Sequence, residues 1–317
     1  MALCATAQVN AHHSQAAFDA TRVITFEGVV HRLDWKNPHI YLIVETRDSE
    51  GKTMLQQIEG LAITQALVDG LDRNALTPGT PVLVRANPNR HGQGKTVRGL
   101  DVTTKDGKVH PFYQGNTVTP DLVPADSLAG HWAPPLSESS KVFRVTYGDW
   151  KYTEAGSARN LVGACDIEPI PFLAAINEVR AIELHENTVV FLHDNSGDKA
   201  TRTVYLDQAS HPADLAPSLM GHSIGHWEGD TLVVDTIGYT AHSSGTFSSV
   251  PGGVRKHTVE RLSLTDDRLH LKYEVMIEDP DFLAEPGSFT MLWDHRPDLE
   301  FSSDPCDAEV SSRYLDD

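Results

Sequence analysis

The residues best suited to proton transfer lie on two predicted hairpins. In Trp227-Glu228-Gly229-Asp230-Thr231 the dipeptide Gly229-Asp230 suits a two-residue turn, because glycine accepts the positive φ such turns require. That turn pairs Trp227 with Leu232, His226 with Val233, Ile224 with Asp235 and His222 with Ile237. One face then carries His222, Ile224, His226, Val233, Asp235 and Ile237. Asp235 stands diagonal to both histidines, at the roughly 7 to 8 Å that long side chains can span. A carboxylate beside an imidazole among aliphatic residues orients the ring for acid–base work, and the same arrangement can also satisfy a structural histidine.

The second hairpin is predicted to turn at Asp266-Asp267, pairing Leu264 with Leu269, Leu262 with Leu271, Glu260 with Tyr273 and Thr258 with Val275. Its other face, including His257, Val259, Arg261, His270, Lys272 and Glu274, is solvated. Glu260 is thus the one carboxylate on an apolar face. Burial raises such a pKa unless a cation meets it, which is the tuning a general acid or base needs. The alternative is a structural pair with an arginine or a bond to Tyr273. The expected site is catalytic His222, Asp235, Glu260 and Tyr273 in one cavity, with Ile224, His226, Val233 and Thr258 lining it. The chemistry would be elimination, hydration or isomerisation of a small, largely apolar organic molecule without a cofactor, since no nucleotide-binding glycine loop or nucleophilic cysteine motif is evident. A binding module that only holds its ligand is the other class.

Two further chemistries are weaker. Gly221-His222-Ser223-Ile224-Gly225 matches the Gly-x-Ser-x-Gly elbow in letters, but that elbow needs a strand before the serine and a helix after it. A loop-like Pro212 to Met220 precedes Ser223 and a hairpin follows, so hydrolysis by Ser223 is the lesser expectation. The 16 histidines suggest metal. His222 and His226, four apart on a strand, span roughly 13 Å and do not chelate one ion without a bend. At the N-terminus, His12 with its α-amine, His13 and His39 offer a copper-type site.

The elements that must position these groups are short strands. Residues 22 to 104 read as strands Val23 to Asp34, His39 to Glu45 and Thr53 to Glu59, a short helix Leu61 to Val68, and strands Val82 to Ala86 and Thr96 to Thr103. Five strands with a helix between the third and fourth suggest an OB-like barrel over 12–115. Residues 116–140, with Pro120, Pro124, Pro134 and Pro135, read as a linker. Over 141–317 about nine alternating segments without a long helix, the first Lys141 to Tyr147, suggest a larger antiparallel β-barrel or sandwich. Gly130-His131-Trp132 resembles the Gly-x-Trp signature of lipocalin-like barrels.

Composition narrows the partners. The chain has 317 residues, 40% of them hydrophobic, enough for a packed core. Its 44 acidic and 26 basic side chains leave it at −18, which repels phosphate backbones and anionic lipid. Residues 22–104 are nearly neutral, with 10 basic and 9 acidic groups, so the OB-like segment lacks the basic groove that nucleic acid requires. No run reaches the ~18 apolar residues of a membrane helix. Residues 1–11 read as a signal-peptide remnant, with Val9-Asn10-Ala11 as cleavage site, which makes the protein periplasmic or secreted. Cys4 would leave with it. Cys165 and Cys306 would then form one disulfide, worth roughly 3 to 5 kcal/mol for so long a loop, with two separate thiols as the alternative.

His12-His13-Ser14, Trp35-Lys36-Asn37-Pro38-His39 and the Leu-Thr-Pro-Gly turn at Leu76 to Gly79 resemble a family of exported bacterial proteins of unknown function. The stretch from Met220-Gly221-His222-Ser223-Ile224-Gly225 to Glu228-Gly229-Asp230-Thr231 is similar to a β domain often joined to it, and departs from that pattern at His226, where arginine is expected. The resemblance implies an exported two-domain protein and no particular activity.

Overall fold

In the computed structural model, residues 17–48, 50–90, 96–113, 120–158, 165–311 and 313 are described. The first half forms β1 (Ile24–Asp34), β2 (Tyr41–Arg47), β3 (Thr53–Glu59), α1 (Ile63–Val68), β4 (Pro81–Asn87), β5 (Thr96–Thr104) and β6 (Val109–Pro111). The order β3-β2-β1-β4-β5-β6, with β3 also paired to β5, closes five strands into the expected OB-like barrel and adds β6 at the side. β1 makes closure possible. Its first half pairs with β4 and its second with β2, and a register shift between Val30 and Arg32 bends the strand between them. Gly28 lies at this crossing, where any Cβ would run into Val44. Alternating residues such as Val30, Leu42, Val44, Ile58 and Val84 fill the core, and Phe26 and Trp35 pack against it.

The second half forms β7 (Gly130–Ala133), α2 (Leu136–Asp149), α3 (Glu154–Ser157), α4 (Phe172–Ala175), β8 (Arg180–Leu184), β9 (Thr188–Asn195), β10 (Asp198–Tyr205), β11 (His222–Glu228), β12 (Thr231–Ile237), β13 (His242–Phe247), β14 (Val250–Gly252), β15 (His257–Leu264), β16 (His270–Glu278), β17 (Gly287–His295) and α5 (Ala308–Ser311). All but β13 and β14, a two-stranded sheet of their own, join a closed nine-stranded barrel. A ring of antiparallel pairs needs an even number of strands, so nine strands require one parallel seam. It falls between β10 and β11, with Val204 opposite Ser223 and Tyr205 opposite Ile224. The barrel is therefore not wholly antiparallel.

Two sequence expectations change here. Gly130–Ala133, inside the span read as a linker, is a barrel strand whose Trp132 is fully buried and donates Nε1–H to the Leu128 carbonyl. Lys141 to Tyr147, read as a strand, lies within helix α2. Its β-branched residues mimic strand alternation, yet the buried positions are Ser139, Val142 and Thr146, spaced for one helical face. Packing decides the outcome: Phe143 meets Phe172 at 5.7 Å and Phe247 at 5.2 Å, part of an aromatic cluster that joins α2 and α4 to β13.

The two barrels are joined by buried polar contacts. Asn37 donates to Ser302 Oγ at 3.0 Å and to the Asp304 carbonyl at 2.8 Å, and its own carbonyl oxygen accepts from the Ile63 amide at 3.0 Å. Beside it Cys165 and Cys306 form the expected disulfide across 141 residues. Gln65 donates to Glu178 at 2.9 Å, and Asn177 donates to Asp69 at 3.1 Å. Burial raises the Asp69 carboxyl to about 7. Burial, reinforced by the neighbouring Asp194 carboxylate, also raises Glu178.

Two outcomes follow from this interface. A carboxyl whose folded pKa stands above its unfolded value of about 4 carries stability that is complete below that value and lost as pH rises through the folded value. For Asp69 that loss runs from about pH 4 and is complete above about 7, with Glu178 acting in the same sense. The melting temperature should therefore decline from pH ~5 to ~8, and Asp69→Asn with Glu178→Gln should flatten the decline in calorimetry. Cys165→Ser should cost about 2 to 5 kcal/mol in urea unfolding.

Candidate functional site: a histidine relay on the barrel wall

The β11–β12 hairpin adopts the predicted register, with His222 opposite Ile237, Ile224 opposite Asp235, His226 opposite Val233 and Trp227 opposite Leu232. Gly229 has φ 61°, as the tight turn demands. The face that carries His222 and Asp235 is the outer face of the barrel. The inner positions of β12 are Leu232, Val234 and Thr236, all fully buried.

On this outer face Asp235 collects two imidazoles. His211 Nε2 lies 2.8 Å from Asp235 Oδ1, and His257 Nε2 lies 2.8 Å from Asp235 Oδ2. His211 Nδ1 in turn lies 2.8 Å from His222 Nδ1, and His257 Nδ1 lies 3.4 Å from Glu278 Oε2. Tyr205 stacks on His222 at 5.2 Å. The result is a continuous chain from His222 through His211, Asp235 and His257 to Glu278.

The chain assigns the protons. An ionised carboxylate only accepts, so His211 and His257 each donate Nε2–H to Asp235. With Nε2–H given to Asp235, an Nδ1 of His211 that accepts makes His222 donate its Nδ1–H, and the His222 Nε2 lone pair then has no hydrogen bond among the described residues. Burial, then the neighbouring His211, lower the His222 pKa and keep that lone pair available. Burial works to raise Asp235, but the hydrogen bonds from His211 and His257 outweigh it and hold the carboxyl below its usual value. Burial opposes protonation of His257, and Asp235 and Glu278 reverse the balance and raise it. A proton taken up at His222 Nε2 can be balanced by release of its Nδ1 proton to His211, where the positive charge meets Asp235.

Neither His211 nor His257 is among the sequence-predicted site residues. His211 comes from the 206–221 connection that the parallel seam imposes, anchored by Ser218 N donating to the Gly238 carbonyl at 2.9 Å. His257 lies on the face read as solvated. It reaches Asp235 because β12 pairs with β15, setting Asp235 opposite Val259.

Glu260 and Tyr273 do not join this site. In β15–β16 the register is Leu264 to Leu271, Leu262 to Tyr273 and Glu260 to Val275, two residues away from the predicted one. The turn is longer, with Arg268 at φ 59°. A two-residue slip preserves faces, so Glu260 does point to the apolar side, which is the barrel interior. There Arg202 grips both carboxylate oxygens, Nη2 reaching Oε1 at 3.0 Å and Nη1 reaching Oε2. The Tyr273 hydroxyl donates to Oε1 at 2.8 Å. Glu260 and Asp235 lie on opposite faces of the wall, so one shared cavity is excluded.

Of the expected lining residues, Ile224 and Val233 flank Asp235 on the outer face. His226 is exposed beside Glu228 at 3.3 Å, and Thr258 points inward to the Tyr239 hydroxyl at 2.7 Å. Ser223 is buried, its hydroxyl 2.9 Å from that of Thr236, in a strand with no elbow. His39 Nδ1–H donates to the Gly60 carbonyl at 3.0 Å, while His12 and His13 lie outside the described residues. Cys165, Asp198 and Cys306 bring donor atoms within 4.8 Å of one another, but the two sulfurs are bonded to each other and offer no thiolate.

Comparison with known proteins adds one match. Residues 1–98, which hold most of the OB-like barrel, match the model of a family of unknown function, DUF6152. No curated protein and no solved structure matches the chain.

Glu260→Gln should leave Arg202 charged and uncompensated in the barrel, destabilising the fold by about 3 to 5 kcal/mol in chemical denaturation. His222→Ala, on the half-exposed outer face, should change stability by less than about 1 kcal/mol.

Proposed function

We propose that the protein is an exported enzyme whose second barrel carries a general acid–base centre on its outer wall, acting on a small, largely apolar organic molecule in an elimination, hydration or isomerisation. His222 Nε2 takes or gives the proton. His211 relays the compensating charge, Asp235 fixes the His211 tautomer, and His257 holds Asp235 from the other side. The observation that carries the reading is the unbroken His222–His211–Asp235 chain ending in one ring nitrogen without a bond among the described residues. Ile224, Val233, Ile237 and Tyr205 give the surroundings an apolar character that suits such a substrate. Export is supported by the Cys165–Cys306 disulfide, which persists in an oxidising compartment, and by the resemblance to exported two-domain proteins.

Deuterium wash-in from D₂O tests the chemistry without a known substrate. On a panel of aryl ketones, β-hydroxy ketones and aryl ethers, the wild-type chain should exchange the acidic C–H of at least one class. His222→Ala should reduce that rate by about 10² to 10⁴-fold, and Asp235→Asn should act in the same direction with a shifted pH profile. Exchange no faster than in His222→Ala across the panel would leave the relay a structural cluster and favour a non-catalytic binding module.

A further inference from the structure

The interior of the second barrel holds more donors than it can satisfy. Arg180, His193, Arg202 and Trp293 are each at most 3% exposed. Arg180 opposes His193 across β8 and β9, its guanidinium lies 4.5 Å over the Trp293 ring, and Trp293 stacks on Tyr273 at 4.8 Å. Arg202 lies over Phe191, which stacks with His193 at 6.3 Å. These side chains form one continuous cluster on the inner wall.

Charge and hydrogen bonding are both unbalanced there. Arg202 is matched by Glu260, but among the described residues Arg180 has one bond, from Nη2 to the Ile176 carbonyl at 2.7 Å. Its Nε and Nη1, both ring nitrogens of His193, Arg202 Nε and Trp293 Nε1 have no hydrogen-bond partner among the described residues. Glu178, the acid whose field reaches Arg180, gives its oxygens to Gln65 and Ser196 and is pushed toward its neutral form by burial, and Asp194 is committed to Gly197 and Ser302. A buried guanidinium with unmatched donors is strongly disfavoured unless an anion meets it.

We propose that this cluster is an anion-binding site for a small carboxylate with a flat apolar body, the carboxylate meeting Arg180 and an N–H of His193 or Trp293, and the body lying against the aromatic rings. One cation without a hydrogen-bonded carboxylate matches one negative charge, and the aromatic surroundings of Phe191, Tyr273 and Trp293 favour an acid with an aromatic body over a compact inorganic anion. The site is on the opposite face of the wall from the histidine relay and stands or falls independently of it.

Benzoate is the probe. Thermal melts of the full chain at constant ionic strength should show a saturable rise with benzoate, a smaller one with acetate and none with phosphate or chloride, together with a change in tryptophan fluorescence. Arg180→Met removes the buried charge and should weaken the benzoate response about tenfold or more. Should that variant fail to fold, Trp293→Phe, which deletes the indole N–H and keeps an aromatic wall, should weaken the response in the same assay. Equal effects of benzoate and chloride, or a benzoate response unchanged in the folded variant, would overturn the proposal and leave the donors to buried water.

Discussion

The two-point bond between Arg202 and Glu260 inside the larger barrel is the constraint on which the outer histidine cluster depends. With Glu260 directed inward, strand alternation turns His257, Val259 and Arg261 outward, and the pairing of Glu260 with Val234 turns Asp235 outward beside them. A slip of β15 by one residue would expose the carboxylate that Arg202 needs and turn His257 inward, away from Asp235. The ion pair therefore locks register more than it adds stability, and the outer histidine relay inherits its geometry from that register.

Barrel parity supplies the missing member of the relay. Nine strands force a parallel seam, and a parallel pair cannot be joined by a tight turn, so a long connection must run back along the barrel from β10 to β11. That connection brings His211 between His222 and Asp235. In an even-stranded barrel with a hairpin at this place, Asp235 and His222 would share a face without a bridge between them. A topological requirement thus becomes a chemical one, since the linking imidazole transmits the carboxylate's demand for a donor to a second ring.

The smaller barrel has a different relation to this site. Its contacts with the larger one run through Asn37, α1 and the C-terminal segment held by the Cys165–Cys306 bridge, and the groups involved are buried amides and carboxyls. Raised carboxyl pKa values are the consequence of packing acids into that contact, so the docking of the two barrels is tied to protonation even though the relay lies on another part of the wall.

Local information sufficed where a turn and its flanking strands dictate one another. Gly229-Asp230 sets the β11–β12 register, the glycine-punctuated alternation of residues 22 to 104 sets an OB-like barrel, and two remaining cysteines imply one bridge. Even the misplaced turn near Asp266 left Glu260 on the correct face, because strand geometry repeats every two residues. Lys141 to Tyr147 was not legible, since its β-branched residues obey strand statistics until aromatic packing against Phe172 and Phe247 selects a helix. Nor were the partners of the site residues. Arg202 meets Glu260 from 58 positions away, and His211 and His257 reach Asp235 from 24 and 22. Residue spacing settles which side chains share a strand face; closure of the barrel settles which face looks inward and what meets each charge, because those contacts depend on strand order around the ring, which no local pattern encodes.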